Sequence, residues 1–313
     1  MPIHASSSCT NTFTDRHIHG IAGVDFATSG EGAIRAAVEL LASRRTTGLI
    51  ASLPALRLET LEPALDRLAG LHAAGVIAGV HLEGPFLAPE FAGAHPLEAL
   101  LSPSSSVGRH LLEAILQRQT DKRFITMMTL APELPGFADT VALFVNAGIE
   151  PALGHTAASY SEMRRGIELV FDQTARPVVI THCYNAMRGF HHRDPGPLLA
   201  VIEAVERGEV LVEFIADGRH VDLEVLRWWF QRWPRAIRLV SDASAATLPG
   251  DGPPLVHGAP RLGHISLAYS DKHGPRLADE TTLASGGKDL LAIHDDLVSA
   301  GFQHDDVCAA MRR

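Results

Sequence analysis

The chain has 313 residues and a net charge of −9, with its basic residues scattered, which argues against nucleic acid as a main partner. A hydrophobic share of 46% beside 20% charged residues suits a globular protein with a sizeable core, and no apolar run approaches the roughly 20 residues of a membrane span. Cys9, Cys183 and Cys308 are too few and too far apart for a disulfide framework, and the first nine residues lack a basic start followed by an apolar stretch, so a cytoplasmic enzyme is the expectation.

Along the chain, short β-rich runs are predicted near 12–18, 46–52, 76–82, 124–130, 149–154, 177–182, 209–215 and 236–241. Several, such as Val76 to Val80 and Pro177 to Ile180, are continuously apolar, as strands buried on both faces are. Helical spacing fills the intervals. Ile34, Val38 and Leu41 share a face between Glu31 and Arg45, and Leu61, Leu65 and Leu68 do so between Leu58 and Ala73. Similar stretches are expected at Pro197–Arg207, Asp222–Arg232 and about 287–300. Eight strands alternating with helices predict an α/β fold of the (β/α)8 TIM-barrel type, and no glycine fingerprint after the first strand supports a dinucleotide-binding open sheet. Residues 1–313 read as a single domain. The long stretches Glu83–His110 and Ala243–Ala284, the latter with a hairpin expected around Asp271 to Gly274, follow strands, where a barrel builds its active site.

Six metal-favouring side chains stand where these strands should end: His17 and His19, Glu83, His155, His182 and Asp242. Alternate residues of a strand face the same way, so His17 and His19 can both point to the barrel axis. Imidazole suits zinc, iron and similar ions, and a carboxylate can bind one ion or bridge two. One histidine among 17 would more often be a surface or hydrogen-bonded core residue, but the joint pattern points to one metal centre. Glu83 is the strongest case, because a carboxylate after Val80-His81-Leu82 must be partly buried, at a high cost without a counter-charge. His81, His191 and His192 carry no such argument and read as structural or supporting residues. Cys183 reads as a small core residue. Trp228, Trp229 and Trp233 are expected to pack against the barrel, with a subunit interface as the alternative.

Taken together, the segments resemble the N-acetylglucosamine-6-phosphate deacetylase family of the amidohydrolase superfamily. The resemblance rests on His17-Ile18-His19-Gly20, Gly79 to Leu87, Gly93-Ala94-His95-Pro96, Gly154-His155-Thr156-Ala157, Thr181 to Met187, His191 to Gly196, Ile215 to Val221 and Leu239 to Ala243, in the family's order. It implies Glu83, His155 and His182 as ligands of the main ion, with His17 and His19 holding a second ion in some members. It implies Asp242 as the acid/base residue and His95 as the donor that polarises the scissile carbonyl. Asn185, the Ala186 backbone and His220 would contact the sugar phosphate. Arg193 would reach the phosphate of a neighbouring subunit, which implies a homodimer. The cofactor would be one or two divalent ions, zinc first, with iron, manganese or cobalt compatible with the same donors. Members usually carry a small β-sandwich formed from segments before the first strand and after the eighth helix, and with 16 residues before His17 that domain is expected to be largely or wholly missing. Two other functions fit less of the pattern: a deacylase of another N-acyl compound, and a catalytically silent sugar-phosphate binding protein.

Overall fold

The structure, a computed structural model, describes residues 12–119, 124–250, 253–270, 274–278 and 282–313. Cys9 lies outside them. Eight parallel strands follow one another in a single sheet: β1 (Phe13–Ile18), β2 (Thr46–Leu53), β3 (Gly79–Glu83), β4 (Ile125–Leu130), β5 (Glu150–Leu153), β6 (Val178–Ile180), β7 (Val210–Ile215) and β8 (Ile237–Val240). The expected (β/α)8 barrel is therefore present. β3 starts later than its apolar run suggested, because residues 76–78 form bends that lead into it.

The barrel closes without ladder bonds between β8 and β1. Closure comes from residues at and beyond the strand ends: the Asp242 amide donates to the His17 carbonyl at 2.8 Å, and the His19 amide to the Ala243 carbonyl at 2.7 Å. The buried Asp15 carboxylate accepts from the Ser241 and His17 amides, both at 3.3 Å. This closure sets Asp242 beside His17 and His19.

Outside the sheet run α1 (Glu31–Ser43), α2 (Leu58–Ala73), α3 (Ser106–Arg118), α4 (Phe137–Ala147), α5 (Tyr160–Thr174), α6 (Gly196–Glu206), α7 (Leu223–Arg232), α8 (Leu290–Ser299) and α9 (His304–Ala310). Local chemistry marks their ends. Ser159 and Glu162 form a capping box at α5, and Ser105, Asp222 and Asp289 accept amide protons at the starts of α3, α7 and α8. Gly148, at φ 78°, stops α4 in the left-handed conformation that glycine adopts at no steric cost. The apolar faces of these helices and the outward side chains of the strands form one continuous core. Among the described residues no helix is long and apolar enough to cross a membrane.

Over the barrel mouth, β9 (Arg261–Leu262), β10 (Ile265–Ser270) and β11 (Gly274–Leu277) form a small antiparallel sheet. β10 and β11 are the arms of the expected hairpin, and its turn, 271–273, lies outside the described residues. Leu262 and Leu267 from this sheet pack on Ala94 and Ala246, joining the loops after β3 and β8.

Of the three tryptophans, Trp228 and Trp229 lie in α7 and Trp233 ends it. Trp229 is fully buried and its indole N–H donates to the Tyr184 hydroxyl at 2.9 Å, which ties α7 to the loop after β6. Trp229→Ala should lower stability by about 3–5 kcal/mol, and Trp229→Phe, which keeps most of the packing, by closer to about 1 kcal/mol. Chemical denaturation monitored by circular dichroism measures both.

Candidate active site and metal centre

The predicted ligands converge. Glu83 is the last residue of β3 and only 3% exposed. Its Oε1 lies 3.0 Å from His155 Nε2 and 2.8 Å from His182 Nε2. Its Oε2 lies 3.0 Å from His19 Nε2 and 3.4 Å from His17 Nε2. Each carboxylate oxygen thus faces one histidine pair, the arrangement of a bridging ligand. Asp242 Oδ1 completes the second group, 3.3 Å from His19 Nε2 and 3.5 Å from His17 Nε2. His155, His182 and Asp242, each two residues past a strand, have φ of 46°, 25° and 48°. Such values are strained for non-glycine residues, and they turn the side chains back toward the barrel axis.

The donor set fits a metal ion. His155 Nδ1 is 2.8 Å from the Phe91 carbonyl, which only accepts, so Nδ1 carries the proton and Nε2 presents a lone pair. That lone pair faces a carboxylate oxygen and, at 3.1 Å, the His182 Nε2. His182 Nε2, 2.8 Å from the same carboxylate oxygen, is a third donor atom that could share a cation there. The spacing of the three is near the ~3.3 Å edge of a tetrahedron with ligands about 2.0–2.1 Å from zinc. The residues His17, His19 and Glu83 form one group able to hold an ion, and Glu83, His155 and His95 another.

Surrounding groups give these side chains different charge states. Burial would raise the Glu83 carboxyl, but the His17 charge and hydrogen bond hold it well below the usual carboxylate range. Asp242 is likewise lowered against burial by His17 and His19. Burial would lower His19, yet hydrogen bonds and charge from Asp242 and Glu83 outweigh it and raise it to about 9. His17 is raised well above 6.5 for the same reasons, with help from Glu213, whose Oε2 is 3.7 Å from its Nδ1. Glu213 is itself fully buried and paired with Arg238 at 3.1 Å. His95 behaves in the opposite way: burial pushes it down to about 4. Its Nδ1 accepts the Ala55 amide proton at 3.1 Å, so the neutral ring keeps a proton on Nε2, 3.5 Å from Glu83 Oε2.

A cavity of about 240 Å³ lies over this cluster, lined among others by His95, Asn185, Ala186 and His220. His220 donates through Nδ1 to Asp217 Oδ2 at 3.0 Å. Burial alone would lower His220, but the Asp217 hydrogen bond and charge raise it, which favours the imidazolium form. Leu262 and Thr282 to Ala284, from the long segment after β8, close one wall. Two predicted site residues do not line this cavity: His17, fully buried beside Glu83, and Arg193. Arg193 is exposed, and Asp194, a candidate partner for it, pairs with Arg188. His81 supports from below, bonded to Ser52 at 3.0 Å and Thr129 at 2.8 Å. His191 and His192 are exposed, away from the ligands.

Sequence reading missed the groups that orient the ligands. The Phe91 carbonyl and the Ala55 amide are backbone atoms and leave no residue-type signal. Asp217 sits inside a quoted motif, Ile215 to Val221, and a carboxylate three residues before His220 was the available cue.

A scan against models of known protein families finds no match. Among curated proteins the chain is similar to the N-acetylglucosamine-6-phosphate deacetylase of Rattus norvegicus, with 35% identity over 249 residues, 77% of this chain and 58% of the rat protein. It is 32% identical to the Homo sapiens protein of the same name, over the same shares. The chain thus spans less than two thirds of the curated relatives it matches. Two crystal structures of N-acetyl-D-glucosamine-6-phosphate deacetylase from Mycobacterium smegmatis, one a point mutant in complex with N-acetyl-D-glucosamine-6-phosphate, superpose with TM-scores of 0.82 and 0.80. They are 31% and 30% identical, and the alignments cover 96% of this chain and 75% of theirs.

The raised pKa values carry a sign that can be tested. Below about pH 9 His19 holds a proton that an entering ion must displace, so metal affinity should increase with pH. The gain should be about tenfold per pH unit for each proton released. Isothermal titration with zinc, at mildly acidic and mildly alkaline pH and in buffers of different ionisation enthalpy, reads both the affinity and the proton count.

Proposed function

Because the chain belongs to the N-acetylglucosamine-6-phosphate deacetylase family, we propose that it is a metal-dependent amidohydrolase that converts N-acetylglucosamine 6-phosphate to glucosamine 6-phosphate and acetate. The observation that carries this reading is the Glu83 carboxylate, with one oxygen on each histidine pair and Asp242 beside it on the cavity floor. A divalent ion held by Glu83, His155 and His182 would act as a Lewis acid, lowering the pKa of water from about 15.7 towards about 7 and polarising the amide carbonyl. Zinc is the first choice for this donor set, with iron, manganese or cobalt compatible, and His17 and His19 with Glu83 would hold a second ion.

The chain's own groups divide the remaining work. Asp242, kept ionised by His17 and His19, takes a proton from the attacking water. The same carboxyl then delivers that proton to the departing amine, since an amide nitrogen leaves poorly without one. His95 stays neutral and donates its Nε2 proton to the carbonyl oxygen as negative charge develops there. His220, favoured as a cation, binds the phosphate together with Asn185 and the Ala186 backbone. We read residues 1–313 as one catalytic domain working in the cytoplasm as a homodimer. Arg193, exposed near the 59% exposed Phe190, would then serve the phosphate in a neighbouring subunit's pocket.

Asp242→Asn should keep fold and metal content while kcat falls by about 10²–10⁴-fold, and near-native kcat would remove Asp242 from the mechanism. Arg193→Ala should raise KM for the phosphorylated sugar far more than for its dephosphorylated analogue. Equal effects on both substrates count against a phosphate role. A panel of N-acyl amines, assayed beside N-acetylglucosamine 6-phosphate, tests the substrate itself: the phosphorylated amino sugar should have the highest kcat/KM.

A further inference from the structure

Away from the barrel mouth, three side chains of the last two helices converge. His294 on α8 and His304 and Cys308 on α9 each offer a ligand atom within 4.8 Å of the other two. His304 and Cys308 are four residues apart and share a helix face, with Nε2 and Sγ separated by 3.5 Å. Both imidazoles are oriented by the next residue in the chain. His294 Nδ1 is 2.8 Å from Asp295 Oδ1, and His304 Nδ1 is 3.2 Å from Asp305 Oδ1. A carboxylate oxygen only accepts, so each Nδ1 holds the proton and each Nε2 presents a lone pair. The His294 side chain is only 7% exposed, and its Nε2 has no hydrogen-bond partner.

A buried lone pair without a donor, beside a second imidazole and a thiol, is the chemistry of a metal ligand set with carboxylates steering the rings. We propose that His294 Nε2, His304 Nε2 and Cys308 Sγ form a separate binding site for a thiophilic divalent ion of the zinc class. On binding, the Cys308 thiol releases its proton to solvent and the thiolate bonds to the ion. The His304 side chain is 47% exposed, so a water can complete four-coordination from outside.

The site lies at the opposite end of β1 from His17, because His294 packs on Phe13, with ring centroids 5.5 Å apart. There the chain end seals the open seam of the barrel: the Thr14 amide donates to the Met311 carbonyl at 2.9 Å, and Arg313 holds the Pro234 and Ile237 carbonyls, both at 2.8 Å. An ion joining α8 to α9 would clamp that seal.

Cobalt(II) titration of the full chain tests the site, since the proposed catalytic ligands include no cysteine and a near-ultraviolet thiolate-to-cobalt band reports a sulfur ligand. The wild type should develop this band and bind one more cobalt than Cys308→Ser or His304→Gln, both of which should lose the band. His304 is exposed, so His304→Gln should leave the fold intact, as far-ultraviolet circular dichroism would verify. Absence of the band in the wild type at saturating cobalt overturns the proposal, as does its survival in either variant.

Discussion

The arrangement at the barrel mouth depends on one buried carboxylate. Glu83 ends a central strand with almost no solvent contact, where an isolated negative charge would be costly. Four imidazole nitrogens surround it at 2.8–3.4 Å, two on each oxygen. They come from β1 and from residues just past β1, β5 and β6, so the charge of one side chain ties distant parts of the sheet to a common point. The left-handed backbone at His155, His182 and Asp242 costs on the order of 1–3 kcal/mol per residue, and the rigid strands beneath hold it in place.

Barrel closure and site assembly are one event. The last strand meets the first through bonds that involve His17, His19, Asp242 and Ala243, rather than through a regular ladder. The carboxyl proposed to move protons is therefore held against the histidine pair by the same contacts that shut the sheet. At the other end of the seam, α9 and the residues after it do the closing.

Identical side chains acquire different protonation states here through their partners. A backbone carbonyl at His155 leaves Nε2 as a lone pair aimed at the carboxylate. A backbone amide at His95 leaves Nε2 as a donor on a ring that burial keeps neutral. A carboxylate at His220 favours the charged ring in the wall of the same cavity. One residue type thus presents a free Nε2 lone pair, a neutral N–H donor and a ring biased toward its charged form within a single pocket.

Much of this was legible in the chain. Apolar patterning places all eight strands and five of the nine helices among the described residues, because fully buried strands must be apolar throughout and their covering helices must repeat at three and four residues. The strand-end positions of Glu83, His155, His182 and Asp242 marked the site, since side chains beyond parallel strands converge when the sheet closes. What the tertiary structure decided was pairing and charge: which carboxylate oxygen faces which histidines, the neutral state of His95 and the isolation of Arg193 from its own cavity. The cluster of His294, His304 and Cys308 was equally hidden, two of its members sharing one helix but the third arriving on another. Residue type and local spacing are written in the sequence, whereas protonation and contact depend on backbone atoms and distant side chains that only folding brings together.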